Sequence, residues 1–284
     1  VTALKTQLNN RLKKVLEPII TYIGEKRFYT DIVPNLYLAG GAITSTIANE
    51  EPSDFDVFFS TELALQQVLT TLHNNTKVLD KLKFSFKDDL TVPGLVLGGL
   101  SSADEAMSDD EAITWANNHI KANPTKVAGI VYISSNAITF KNGLQLTFRF
   151  LGRPEAVFNT FDYEHCKVYF RLSPLREQEP VFCGDSLRAI ATRELLYTGN
   201  SRFVLSALAR MTKFSNRGWR THSSLLFKLM QNAMTIDWTS LAVVEQELNG
   251  FYGITPAQVA EILSQLKKKE KFSLKEITEL VEGL

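Results

Sequence analysis

The chain of 284 residues has few of the residues that staple small folds or hold structural metals. Two cysteines, Cys166 and Cys183, are too few for a disulfide framework or a cysteine-rich zinc set. Reduced thiols in a cytoplasmic compartment are the expectation. The four histidines, His73, His119, His165 and His222, are scattered, without the close spacing of paired metal ligands. There is no excess of charge either: Lys and Arg total 31, Asp and Glu 31. That balance excludes a protein that simply coats nucleic acid, but not one with a local basic groove. No run approaches the roughly 18 apolar residues of a membrane-spanning helix, so no membrane partner is expected. The N-terminal stretch does not read as a secretory leader. Leu4, Leu8, Leu12, Val15 and Leu16 recur at helical spacing with Lys and Arg between them.

What remains is an ordinary globular composition, 44% hydrophobic and 22% charged, long enough for one large or two modest domains. The chain is organised around Leu36 to Ser60. A short apolar run, Leu36-Tyr37-Leu38-Ala39, breaks at Gly40-Gly41. Small residues follow to Ala48, then a polar turn over Asn49 to Ser53, then a second apolar run from Asp54 to Phe59. Apolar runs bounded by Gly, Pro, Ser and Asn predict strand, glycine turn, short helix, turn, strand. Asp54 and Asp56 are two apart, so an extended strand turns both to one face. Neighbouring carboxylates repel unless a cation lies between them. Mg²⁺ suits such a pair, because it takes one or two carboxylates and fills its shell with water and phosphate oxygens. Glycine lets a backbone approach a phosphate closely and present N–H groups to it.

This layout resembles the nucleotidyltransferase superfamily of DNA polymerase β, and within it the head domain of poly(A) polymerases and CCA-adding enzymes. The residues that carry the resemblance are Gly40, Gly41, Asp54 and Asp56. It implies an α+β architecture: a mixed-sheet head with flanking helices over residues 1–184, followed by an all-helical body over 185–284. That superfamily usually places a third carboxylate on a neighbouring strand.

Along the head, a helix is predicted over residues 2–17, stopping near Pro18, and another over 62–73. Residues 84–128 read as an acidic insertion, because Asp88 to Glu111 hold seven acidic residues and no Lys or Arg. A solvated surface excursion and a lid or partner contact are both open readings of it. Within it, Ser108 and Glu111 match a capping box for a helix over 109–121. Residues 129–150 predict a β-hairpin turning at Asn142-Gly143. On its second strand Leu144, Leu146, Phe148 and Phe150 face one way, Gln145, Thr147 and Arg149 the other, so the polar face offers Gln145 and no acid. A short helix over 154–160 would lead into a strand from Phe161, with Asp162 and Glu164 on one face. This stretch resembles viral and phage-encoded nucleotidyltransferase-like proteins, and the resemblance makes Asp162 the third acid; a local cap or hydrogen bond is the other reading.

From residue 185 the periodicity is helical, with segments at 185–197, 202–217, 222–235, 239–249, 255–268 and 273–282. Leu187 to Lys228 contain eight Lys or Arg and one acid, Glu194. Arg210, Lys213 and Arg217 share a stripe at i, i+3, i+7. The segment resembles the neck helix of CCA-adding enzymes and bacterial poly(A) polymerases at Arg202, Arg210, Lys213, Arg217 and Trp219. A solvated basic face and a phosphate-binding wall are both open, since Arg offers planar paired donors to phosphate.

Taken together, the resemblance implies a Mg²⁺-dependent nucleotidyltransferase moving a nucleotide from an NTP to a hydroxyl, an RNA 3′ end such as that of tRNA. Two Mg²⁺ ions would be held by Asp54, Asp56 and Asp162, and the triphosphate by Gly40, Gly41, Ser45, Arg202, Arg210, Lys213 and Arg217. A non-catalytic viral descendant with a nucleic-acid-binding or structural role is one alternative. Nucleotidylation of a protein or small molecule is another. The glycine pair is followed by Ala42-Ile43-Thr44 where CCA-adding and poly(A) heads have a hydrophobic residue, Arg and Asp. The Glu-Asp-x-x-Arg base-reading motif is not evident, which leaves the choice of base open.

Overall fold

The computed structural model describes residues 2–87, 94–99, 107–173, 178–199, 201, 203–249, 256–269 and 271–283. Arg202, much of the acidic insertion and the predicted helix start at Thr255 lie outside the described residues. The chain folds as two units. One comprises Val1–Asn159 and His165–Ser186, the other Thr160–Glu164 and Leu187–Leu284.

The first unit opens with helix α1 (Thr2–Ile23), a short α2 (Glu25–Arg27), a π turn and a 3-10 turn. Then come β1 (Leu36–Ala39), α3 (Gly41–Ile47), β2 (Phe55–Phe59), α4 (Glu62–Thr76), β3 (Leu82–Lys87), β4 (Gly94–Gly99) and α5 (Asp109–Ala122). It continues with β5 (Ile130–Ile133), β6 (Ala137–Phe140), β7 (Leu144–Leu151), α6 (Pro154–Val157), β8 (Val168–Phe170) and β9 (Val181–Phe182). The main sheet runs β5-β6-β7-β2-β1-β8-β9, while β3 and β4 form a separate two-stranded sheet. Among the described residues, only β2 and β7 pair in parallel within the main sheet. The architecture is thus a mixed α/β head with a seven-stranded mixed sheet, followed by a helical body, as expected.

Alternation sets the two faces of the sheet. Leu38, Val57, Leu146 and Val168 point to a core face and are fully buried, and Leu8, Leu12, Leu16 and Ile19 of α1 are buried in the same unit. Two predicted boundaries shift. α1 does not stop at Pro18 but runs through it to Ile23. Burial of Leu16 and Ile19 on both sides outweighs the one lost N–H, and Asn142 Nδ2 donates to the Val15 carbonyl at 2.9 Å in the same turn. The described parts of the predicted insertion, β3, β4 and α5, pack on the head. Phe84 of β3 meets Phe148 of β7 edge-on at 6.3 Å. Ala112, Ala116 and Ile120 of α5 are buried, and Asn117 bonds both the N–H and the carbonyl of Ile133 on β5. No strand starts at Phe161: Tyr163 makes an isolated bridge to Tyr197, and Glu164–Cys166 is a 3-10 turn.

The second unit holds α7 (Ser186–Thr192), α8 (Val204–Ser215), α9 (Ser223–Met234), α10 (Leu241–Asn249), α11 (Pro256–Lys267) and α12 (Leu274–Glu282). One apolar cluster gathers Tyr163, Leu195, Tyr197, Ala207, Trp219, Leu225 and Leu229. A second is centred on Val244, Leu248, Ile262, Leu266 and Ile277.

Candidate metal and nucleotide site

The site begins with a backbone requirement. Gly40 follows β1 with φ of 81° and ψ of −142°, a conformation any side chain would strain. This turn sends the chain from β1 directly into α3; the Gly40 N–H donates to the Val168 carbonyl at 3.1 Å and the Ile43 N–H to the Gly40 carbonyl at 3.2 Å. Gly41 faces open space, with nothing within 4 Å of where a Cβ would stand. Ser45 is one turn further along α3 and is buried. Thr44 is tied down, its hydroxyl donating to the His165 carbonyl at 2.9 Å.

β1 and β2 run antiparallel, with Leu38 opposite Val57. One further step sets Asp56 beside Ala39, so the β2 end that bears the aspartates adjoins the glycine corner. Asp54 immediately precedes β2 and accepts a hydrogen bond from Ser53 Oγ at 3.0 Å. The Asn142-Gly143 turn closes in beside it: Phe55 N–H donates to the Gly143 carbonyl at 2.8 Å, and Gly143 adopts φ of 86°. Asp54 and Asp56 are both half-buried, and their two-residue spacing on extended chain gives them one face.

That face continues across the sheet. Asp56 pairs in register with Gln145 on β7, Gln145 with Thr139 on β6, and Ala39 with Tyr169 on β8. Gln145 Nε2 donates to Thr139 Oγ1 at 3.4 Å. Further along the same face an aromatic group closes the sheet. Tyr37 stacks on Phe58 with centroids 5.6 Å apart, and the Arg171 guanidinium lies over the rings of Tyr37 and Tyr169 at 5.4 and 5.6 Å. Burial pushes the Tyr37 phenol well above its usual pKa. Its hydroxyl donates to the Gly152 carbonyl at 3.1 Å. The polar half of the face, with Asp54, Asp56, Gln145 and Thr139, stays half-exposed.

Two carboxylates at β2 with an amide on the neighbouring β7 are oxygen donors of the kind that suit a hard divalent cation, which keeps water or phosphate oxygens in its shell. Among the described residues no group of three His, Cys, Asp or Glu converges on a metal-sized point.

The remaining predicted residues lie in the second unit. Asp162 is 7% exposed; it accepts from Ser201 Oγ at 2.6 Å and pairs with Arg210 Nη1. Its two oxygens are both occupied by these partners. Arg210, expected to hold phosphate, is the cation of that pair. α8 ends at Ser215, so Arg217 sits in the following turn and not on the helical stripe; its carbonyl accepts from Arg193 at 3.1 Å. Lys213 is half-buried in the last turn of α8. Trp219 is a core residue at 6% exposure, edge-on to Phe214, and no exposed aromatic. Thr139 carries no motif in the sequence, and Gln145 stands there only as an amide where an acid is expected. Nothing local marks either residue, since Gln145 comes beside Asp56 through a parallel register between distant strands, and Thr139 comes beside Gln145 across β6 and β7.

The family described as "Gabija anti-defense 2 family protein" matches residues 8–193. A curated relative, "Gabija anti-defense 2" of Bacillus phage SPbetaL7, is 21% identical over 266 residues, covering 93% of this chain. The chain spans about half the length of that relative, 52%. Among solved structures, a CCA-adding enzyme in its apo form I aligns with a TM-score of 0.47 at 10% identity, over 94% of this chain and 54% of that one. A complex of CCA-adding enzyme with ATP aligns at 0.47 and 13% identity, over 89% and 52%. The Thermotoga maritima CCA-adding enzyme complexed with tRNA aligns at 0.43 and 12%, over 88% and 53%. Likeness at these scores carries no argument about activity.

Proposed function

The chain belongs to the Gabija anti-defense 2 family, and from that premise we propose that it is a phage protein acting against Gabija defence by Mg²⁺-dependent nucleotidyl transfer. An NTP is the donor and a hydroxyl, most simply an RNA 3′ end, is the acceptor. The observation that supports this reading is the β1–β2 register, which sets Asp56 beside Ala39 and next to the Gly40-Gly41 corner, with Asp54 just before β2.

Asp54 and Asp56 would hold the cation. When bound, Mg²⁺ would sharpen the acceptor hydroxyl as a nucleophile and neutralise charge on the departing pyrophosphate. At the glycine corner Gly41 leaves open space where a side chain would stand, which would let triphosphate oxygens approach the backbone closely. Phosphoryl transfer asks a protein mainly for such positioning and charge stabilisation.

The test is incubation with each α-labelled NTP, Mg²⁺ and mixed RNA. Label should enter RNA with release of pyrophosphate, and Asp56→Asn should lower the rate by at least about a hundredfold, the scale of losing a preorganised electrostatic group. Label entering protein with no RNA present would reassign the acceptor. Label entering nothing would sink the catalytic reading. A second reading, a descendant that binds without catalysis, is favoured by one observation: Asp162 is engaged by Arg210 and Ser201, leaving two acids on the sheet face. In that case Gabija would still be countered by the Asp56→Asn variant in an infected host.

A further inference from the structure

Gln145 is the residue directly beside Asp56 in the parallel β2–β7 ladder. Register partners in adjacent strands turn their side chains to the same face, with strands about 4.8 Å apart. The Gln145 amide has a defined orientation. Its Nε2 donates to Thr139 Oγ1, on the β6 side of β7. Asp56 is on the opposite side of β7, so Oε1 is the end of the amide left for the aspartate side. An amide carbonyl oxygen is a hard donor of the kind that completes Mg²⁺, Mn²⁺ and Ca²⁺ shells next to carboxylates.

We infer that Gln145 is a neutral third oxygen ligand of the cation held by Asp54 and Asp56, and that Thr139 orients it from behind. This rests on the proposed cation site and deepens it. It also accounts for the absence of a third acid among the described residues at this edge. Two carboxylates and one amide give the site a side-chain charge of two negatives. Such a site holds one divalent ion and leaves a second to be bound chiefly by substrate phosphate. Thr139 acts through Gln145 and is a positioning residue. A ligand held by a second hydrogen bond loses roughly 10- to 100-fold in metal affinity when that bond is removed.

The experiment is Mn²⁺ binding to the full chain without nucleotide, read by electron paramagnetic resonance of free Mn²⁺, with folding followed by circular dichroism. The intact chain should bind one ion, and Asp56→Asn should abolish binding. Gln145→Leu should weaken it about tenfold or more, and Thr139→Val about tenfold. Gln145→Glu, close in shape and able to supply a charged oxygen, should tighten binding and keeps the test valid if Gln145→Leu fails to fold. If Gln145→Leu and Thr139→Val fold and bind Mn²⁺ like the intact chain while Asp56→Asn does not, Gln145 is no ligand and the aspartate site stands. The same holds if Gln145→Glu leaves affinity unchanged. If neither the intact chain nor Gln145→Glu binds Mn²⁺ at millimolar concentration, the cation site itself is wrong.

Discussion

Asp162 and Arg210 illustrate how burial decides what a charged residue does. The Asp162 side chain is 6% exposed and that of Arg210 46%. A buried carboxylate without a partner is costly, so the guanidinium and the Ser201 hydroxyl are held where the acid needs them. Arg210→Ala should cost about 2 kcal/mol in urea unfolding, between the values for exposed and fully buried pairs. Adding Asp162→Asn should recover part of that loss. His165 is a second case. It is fully buried, and burial pushes its imidazole down to about 3 from the usual 6.5. The unfolded chain then binds a proton that the folded chain refuses between those two values. Stability from this group is therefore complete above pH 6.5 and falls as pH drops toward 3. The expected loss between pH 7 and pH 5 is roughly 2 kcal/mol, and His165→Leu should remove that dependence from urea midpoints at the two pH values.

At the level of elements, helix ends are satisfied by two different routes. Ser108 and Glu111 cap α5 from within one turn, as their spacing predicts, and Ser273 and Glu276 do the same for α12. The N-cap of α8 is Phe203, whose side chain makes no capping hydrogen bond. Its orphan N–H groups at Val204 and Leu205 donate to the two oxygens of Glu247 on α10, at 3.3 and 3.0 Å. Burial raises the pKa of this acid, and the two backbone donors oppose that. Glu247→Ala should cost about 1–2 kcal/mol, the scale of losing an N-cap, in thermal or urea unfolding. Glu247→Gln should cost less, since it keeps an acceptor and removes a buried charge.

Across the whole chain, the two units do not follow a single cut in the sequence. Residues 160–164 belong with the helical body although His165–Ser186 return to the head. Tyr163 gives the reason. It is 1% exposed among Tyr197, Trp219 and Leu225, and its hydroxyl donates to the Ala207 carbonyl at 2.6 Å. A fragment over 187–284 lacks this side chain and should melt lower and less cooperatively than one over 160–284. Losing a large buried aromatic costs about 3–5 kcal/mol. Calorimetry of the two fragments measures the difference.

The local devices were written in the sequence alone. The glycine corner, the alternation of β7, the spacing of Asp54 and Asp56, the Ser108 box and the helical run after residue 185 all depend on neighbours within one turn or strand. Tertiary structure decided the rest, because it depends on partners far along the chain. Pro18 lies inside a helix because Leu16 and Ile19 are buried on either side of it. Trp219 is core because Tyr163 comes to it from another segment. Asp162 answers to Arg210, and Gln145 stands beside Asp56 through a parallel strand register that no local pattern encodes. Periodicity fixes which face a side chain takes, but only the closing of distant chain against chain fixes what that face meets.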